Sequence, residues 1–372
     1  MLKVHEINDL SELEDLRGIW NQILQNSRDN DVFSTWEWIR CWWDHFGKER
    51  KLRILVAKEN DEIIGFAPLM VSKYSFLHLG KFHKLELIGS PDADYNNFII
   101  SKREDECLKL FLDHLSQYSD WDMLEFRDIR EGSVSAQVLN KVCGNPDSKL
   151  NFEMGTVCPY VTLPKSTELF MNSLSANMRR NLRRKMRKLR ESYNVEFKDY
   201  SAFASTDEAM DAFFELHQRR WNSIGERGAF ASTDFCEFHR DIAKVFSKTG
   251  WLALDFLTLD DEPVSVEYSF DYGLKKYGYL TGFNPDFGSY SVGMLSKLFV
   301  IEESIRKGFR EYDFTRGLES YKTSWTAAVR KNFVIRVACK GCFAKMYNWA
   351  MQKSFSQLVI NKLGVHLGIE CC

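Results

Sequence analysis

One pattern occurs twice in this chain, two hundred residues apart, and it restricts the fold more than any other feature. Leu52-Arg-Ile-Leu-Val-Ala-Lys58 leads through Glu59-Asn-Asp-Glu62 into Ile63-Ile-Gly-Phe-Ala-Pro-Leu-Met70. Trp251-Leu-Ala-Leu-Asp-Phe-Leu-Thr-Leu259 leads through Asp260-Asp-Glu262 into Pro263-Val-Ser-Val-Glu-Tyr-Ser-Phe270. Two runs rich in β-branched and aromatic residues around an Asn/Asp turn read as a β-hairpin. A second echo follows in the same order: Glu125-Phe126 in "DMLEFRDIRE" matches Asp313-Phe314 in "REYDFTRGLE", each just after a helical segment. The spacing predicts a duplicated α/β unit with a mixed sheet in each copy. With 372 residues and 44% hydrophobic content, the chain can fill two cores.

The expected boundary is the stretch Cys158 to Ser166, where Pro159 and Pro164 bracket a short extended piece. This gives an N-terminal unit over 1–160, a C-terminal unit over 161–345 and a helical tail over 346–372, with a closing helix read from Phe343 to Leu367. In the first unit, "FSTWEWIRCWWDHFG" reads as a helix capped by Ser34 or Thr35 and ended by Gly47, its tryptophans packing between elements.

The N-terminus has no basic region followed by an apolar run, and no stretch of about 18 uncharged apolar residues occurs, so the expected location is cytoplasmic. Nine scattered cysteines, an odd number, suggest reduced thiols. Cys339-Lys-Gly-Cys342 has no second pair at zinc-ribbon spacing unless Cys371-Cys372 serves, so no metal is expected. The terminal Cys-Cys lacks the polybasic flank of a lipidation site.

Net charge is only −2, yet "MRRNLRRKMRKLR", Met178 to Arg190, holds eight basic residues in thirteen and no acid. Ser175 or Asn177 can cap it, and Met178, Leu182, Met186, Leu189 and Tyr193 form one apolar stripe, so it reads as a docked helix. Like charges this dense repel along a helix, which calls for an anion. Three are open: the phosphates of a nucleotide-activated sugar or of acyl-CoA, gripped by Arg180 and Arg184; a tRNA acceptor stem; and an anionic membrane surface.

A second anion site is expected in the C-terminal unit. Strand Lys276 to Gly282 runs into Phe283-Asn-Pro-Asp-Phe-Gly-Ser-Tyr-Ser-Val-Gly293 and a helix from Met294 to Lys307. A Gly/Ser turn at a helix N-terminus leaves backbone N–H groups for a phosphate. The corresponding segment of the first unit, Ile88 to Phe98, carries two aspartates and no glycine at the following helix start, and would repel one.

This order of strands, acidic turn, Gly/Ser loop, helix and strand ending in Asp313-Phe-Thr-Arg-Gly317 resembles the GNAT acyltransferase fold. With "FSTWEWIRCWWDHFG", "RRNLRRKMRKLRE", "HQRRW", "SYSVGM" and "YDFTRGLESYKTSW", the chain is similar to the CelD-like branch of cellulose and exopolysaccharide biosynthesis. That branch is related to the tandem-GNAT FemAB peptidyltransferases. The resemblance covers roughly Phe33 to Trp325. It implies tandem GNAT-like domains, the first degenerate, and acyl-CoA as co-substrate, its pyrophosphate on Ser289, Tyr290, Ser291, Val292 and Gly293.

The implied reaction moves an acyl group from the thioester to an amine, with a backbone N–H polarising the carbonyl. Candidate bases rank Asp313 at its strand end, then Glu267, then His217. Tyr321 is expected to serve the leaving thiolate, with Tyr290 behind it. Arg316 and Lys322 are expected to orient an anionic substrate, and Arg219, Arg220 and Trp221 to form a substrate wall with His217. Asp94 and Tyr95 resemble a family feature and are carried as substrate contacts. The leading function is an N-acyltransferase acting on a small-molecule or nucleotide- or lipid-linked amino sugar in surface polysaccharide synthesis. Two alternatives stay open: aminoacyl transfer from charged tRNA, and a non-catalytic scaffold.

Overall fold

The structure, a computed structural model, describes residues 1–76, 80–143, 151–338 and 344–349. Most of the closing helix expected over 343–367, and Cys339, Cys342, Cys371 and Cys372, lie outside the described residues. The chain divides into two units. Unit 1 is Met1–Thr156 with the stretch from Lys331 onward, and unit 2 is Val157–Arg330.

In chain order the first stretch forms β1 (Leu2–Ile7), α1 (Leu10–Glu14), α2 (Arg17–Gln25), α3 (Trp36–Phe46), β2 (Lys51–Glu59), β3 (Glu62–Phe76), β4 (Gly80–Leu87), β5 (Ile99–Ile100), α4 (Glu104–Ser116), β6 (Met123–Arg130) and α5 (Val134–Cys143). There follow β7 (Asn151–Thr162), α6 (Thr167–Ser173), α7 (Ala176–Ser192), β8 (Val195–Asp199), α8 (Thr206–Asn222), α9 (Thr233–Thr249), β9 (Leu252–Leu259), β10 (Glu262–Tyr272), β11 (Lys275–Phe283), α10 (Val292–Arg306), β12 (Glu311–Asp313), α11 (Ser320–Thr323) and β13 (Val329–Ala338).

The two echoed hairpins are β2–β3 and β9–β10. Their turns use the same backbone: Asn60 and Asp61 sit at φ 49° and 69°, Asp260 and Asp261 at 51° and 72°. Two consecutive left-handed residues make the tight turn whose twist suits a hairpin, and Asn and Asp tolerate that region.

The sheets repeat as well. Unit 1 runs β1-β2-β3-β4-β6-β13, antiparallel throughout except for β4 beside β6, with the short β5 alongside β3. Unit 2 runs β8-β9-β10-β11-β12-β7, antiparallel except for β11 beside β12. The sixth strands break the sequence order. Unit 1 is completed by β13, which follows unit 2 along the chain, and unit 2 by β7, which precedes its other strands. Residues 331–338 therefore belong to the first unit, which corrects the expected C-terminal domain of 161–345.

Each sheet buries a core of its own, Leu55, Leu69, Phe111 and Phe126 in unit 1 and Leu182, Leu257, Ile301 and Phe314 in unit 2. The tryptophans of α3 pack as expected: Trp36, Trp38, Trp42 and Trp43 are buried, and Thr35 accepts from the Trp38 amide at 3.3 Å. The basic segment is helix α7, capped by Ser175 Oγ accepting from the Met178 amide at 3.2 Å, with Met178, Leu182 and Leu189 buried.

One departure from regular pairing makes room for a site. Strand β12 pairs with β11 only from Lys275 to Tyr277. Beyond that the strands part, and Thr315 Oγ1 donates to the Gly278 carbonyl at 3.0 Å.

Candidate active site

Where β11 leaves β12, the sheet opens into a cavity of about 310 Å³ that also meets β10, the start of α10 and the segment around Tyr321 and Trp325. Its most unusual occupant is a buried polar cluster. Glu267 on β10 is 1% exposed, and its Oε1 accepts from both Lys297 Nζ and the Tyr312 hydroxyl. Lys297 Nζ also donates to Tyr312 Oη at 2.6 Å. Burial pulls the Lys297 ammonium below its ordinary pKa, with Glu267 pulling the other way. Tyr312 is pushed well above the usual phenol range by burial and by the Glu267 charge, so it remains a donor.

Lys297 is there because of helical phase. It lies on α10 among Val300, Ile301 and Ser304, all buried, on a face an unpaired lysine would avoid. Tyr312 reaches the cluster because Gly278 has no side chain: a Cβ there would overlap the tyrosine oxygen.

The Gly/Ser turn forms the cavity's other end. A 3-10 turn over Pro285–Tyr290 leads into Ser291, left-handed at φ 59°, which caps α10 without a side-chain bond. The first intrahelical donors to Ser291 O are the amides of Met294 and Leu295, so those of Val292 and Gly293 precede the hydrogen-bond ladder. Two cations of α7 border this turn: Lys185 Nζ donates to the Ser289 carbonyl, and Lys188 Nζ lies 4.7 Å from the centre of the Tyr290 ring. Leading amides, a helix dipole and two lysines fit a phosphate, so Ser291, Val292, Gly293, Lys185 and Lys188 are the residues that would hold the phosphates of acyl-CoA. In unit 1 the matching helix α4 also starts from a left-handed residue, Arg103 at φ 53°, but its first turn is Glu104, Asp105 and Glu106. There the dipole already faces carboxylates, which agrees with the anion repulsion expected for that half.

Several expected site residues stand elsewhere. Arg180 and Arg184 lie exposed on the outer face of α7, donating to Asn177 and Asn181 of their own helix at 3.1 and 2.9 Å. The helix turns Lys185 and Lys188 toward the loop instead. Asp313 does not line the cavity; its carboxylate accepts from Arg330 at 3.0 Å and from the Thr315 amide at 2.8 Å. Glu267, ranked below it in the sequence reading, is the carboxylate that lines the cavity.

His217 is buried on α8 and outside the cavity lining. Its Nε2 accepts from Trp221 Nε1 at 2.9 Å, and burial pulls its pKa down to about 4. Both His217 and Trp221 are thus spent on each other. Arg219 points outward to Glu215 at 2.6 Å, whereas its neighbour Arg220 lines the cavity, donating to Thr281 Oγ1 at 2.9 Å. In "HQRRW" only the phase of the helix distinguishes the two arginines.

Tyr321 does line the cavity, its hydroxyl shifted above the usual phenol range by burial and by Glu267. Lys322 is buried and donates to the Arg316 carbonyl, with Glu319 at 3.2 Å, so it fastens the loop that carries Tyr321 and is not available to a substrate. Arg316 is half-buried and outside the cavity lining. Asp94 and Tyr95 are buried in unit 1, where the Asp94 carbonyl accepts from Asn332 at 2.9 Å and the Tyr95 ring lies 6.2 Å from that of Phe33.

Comparison with known proteins agrees with this geometry. Residues 176–323 match the family model described as an acetyltransferase (GNAT) domain. Among solved structures, FemX is similar at 11% identity over 89% of this chain and 96% of its own, with a TM-score of 0.62. A C-terminal domain assigned to a lysylphosphatidylglycerol synthetase from Agrobacterium fabrum is similar at 11% identity over 90% and 95%, with a TM-score of 0.55. A conserved protein of unknown function from Bacteroides thetaiotaomicron VPI-5482 follows at 10% identity over 91% and 100%, with a TM-score of 0.51. At such identities the likeness is one of fold. No curated protein matches the sequence significantly. The matched residues 176–323 lie within unit 2, which has the GNAT fold, and the chain as a whole is a mixed α/β protein. Among the described residues no helix is long and apolar enough to cross a membrane.

Proposed function

We propose that unit 2 transfers an acyl group from acyl-CoA to an amine, with Glu267 as the base. The observation that carries this reading is a buried carboxylate on the wall of a cavity whose other end is a helix start with free leading amides. Bound acyl-CoA supplies the activated carbonyl. The rest falls to side chains of this chain.

Both donors to Glu267 bond its Oε1, which leaves Oε2 to take the proton that the acceptor amine must lose. Lys297 and Tyr312 fix the carboxylate in place. Tyr321, a neutral phenol at physiological pH, donates a hydrogen bond to the leaving sulfur. Its raised pKa makes complete proton transfer uphill, so its part is to stabilise thiolate charge. Arg220 holds an anionic group of the acceptor, consistent with an amino sugar that carries phosphate. An amino sugar acceptor in surface polysaccharide synthesis and a cytoplasmic site of action belong to this proposal and rest on the resemblance of the sequence motifs.

The test is release of free CoA thiol from acetyl-CoA in the presence of a panel of amines and amino sugars. Amine-dependent release that Glu267→Gln removes supports the reading; no release with any acceptor, and no binding of acetyl-CoA by calorimetry, overturns it.

A further inference from the structure

On the opposite flank of α7 from Lys185 and Lys188, a second cavity of about 520 Å³ runs between α7 and α10. Its floor is apolar, built from Leu182, Met186 and Leu298. Its rim is cationic: Arg183, Arg187 and Arg190 follow one another at helical spacing, and all are exposed. Among the described residues Arg183 and Arg190 have no ion pair, and Arg187 meets only the exposed Glu191, at 3.7 Å. Glu302 closes the far wall, half-buried, its carboxyl shifted up by burial.

An apolar floor beneath a row of arginines is complementary to a molecule with a hydrocarbon chain and an anionic headgroup. Nucleic acid fits less well, because no aromatic side chain lines the groove to stack a base and RNA has nothing to place on leucine and methionine. We infer that the α7–α10 groove docks this protein on an anionic phospholipid surface, with the three arginines at headgroup level and an acyl chain against Met186 and Leu298. The inference is independent of the acyl-transfer reading, since it uses other side chains and is read without turnover.

The experiment is co-sedimentation of the full chain with vesicles of phosphatidylcholine alone and of phosphatidylcholine with added phosphatidylglycerol, with tRNA binding measured in parallel. The expected result is partition onto the anionic vesicles only. Each arginine near the surface contributes about fivefold, so Arg183→Ala, Arg187→Ala and Arg190→Ala together should lower the partition on the order of 100-fold. Met186→Asp should lower it with every arginine still in place. Equal partition onto both vesicle types, or a triple variant that sediments like the parent, would overturn the inference. So would tRNA binding that the triple variant loses when no vesicle binding is seen, because the arginines would then serve RNA.

Discussion

Lys297 Nζ and Tyr312 Oη lie 2.6 Å apart, both buried, and both bonded to the same oxygen of Glu267. Three ionisable groups in one dry place depend on one another more than on solvent. Removing one charge from such a pair leaves the other buried and uncompensated.

Lys297→Met should therefore destabilise the protein by about 3–5 kcal/mol, the range for breaking a buried ion pair from one side. Lys297→Met with Glu267→Gln should regain most of that loss, since no bare charge remains. Urea unfolding of the two variants checks this; a double variant no better than the single one would show that packing dominates.

Glu267→Gln should lower kcat/KM for amine acylation roughly 10²–10⁴-fold, the usual contribution of a positioned base. Asp313→Asn, by contrast, should leave the rate within a few-fold and weaken the fold by on the order of 1–3 kcal/mol through its Arg330 and Thr315 partners. Rates and unfolding curves of both variants decide which carboxylate does chemistry.

Gly293→Val should weaken acetyl-CoA binding. A Cβ at Gly293 stands 3.3 Å from the Phe283 ring, so the larger side chain crowds that ring beside the first amides of α10. Losing the alignment of a phosphate with the helix N-terminus is worth roughly 2–30-fold in affinity. Calorimetry with acetyl-CoA reads the change; unaltered affinity would move the phosphate elsewhere.

Stability should fall in acid through His217. Its pKa is near 6.5 when unfolded and is drawn down to about 4 by burial in the fold, so between those values only the unfolded chain takes up the proton. The contribution is complete above about pH 6.5 and is lost as pH falls toward 4, a total of about 3 kcal/mol. His217→Gln, which can still accept from Trp221, should flatten that limb of the pH–stability curve. An unchanged slope would assign the acid sensitivity to other groups.

Both hairpins and the basic helix are legible in the sequence because local chemistry determines them: paired Asn/Asp turns, a serine cap, an apolar stripe at helical spacing. The exchanged strands are not, since nothing local in β7 or β13 says which sheet each joins, and their partners lie far along the chain. The site was half legible. The Gly/Ser turn announces itself, but Asp313 attracts notice at a strand end until Arg330, seventeen residues on, is seen to hold it. Lys297 escaped notice inside an apparently apolar helix. Its signal was available: a lysine on the buried face of α10 needs a counter-charge, and Glu267 is the carboxylate on the strand facing it.

The order in which a ribosome releases this chain matters for the first sheet. Strand β6 emerges early, but its outer neighbour β13 ends at Ala338, about two hundred residues later. At about 5–20 residues per second the nascent N-terminal half waits on the order of 10–40 s with β6 as an open edge. An unpaired strand edge invites pairing with another chain. Translation speed and chaperone supply therefore bear on the yield of this protein, and a gene cut at the boundary between its halves would produce two fragments, the first with an unfinished sheet.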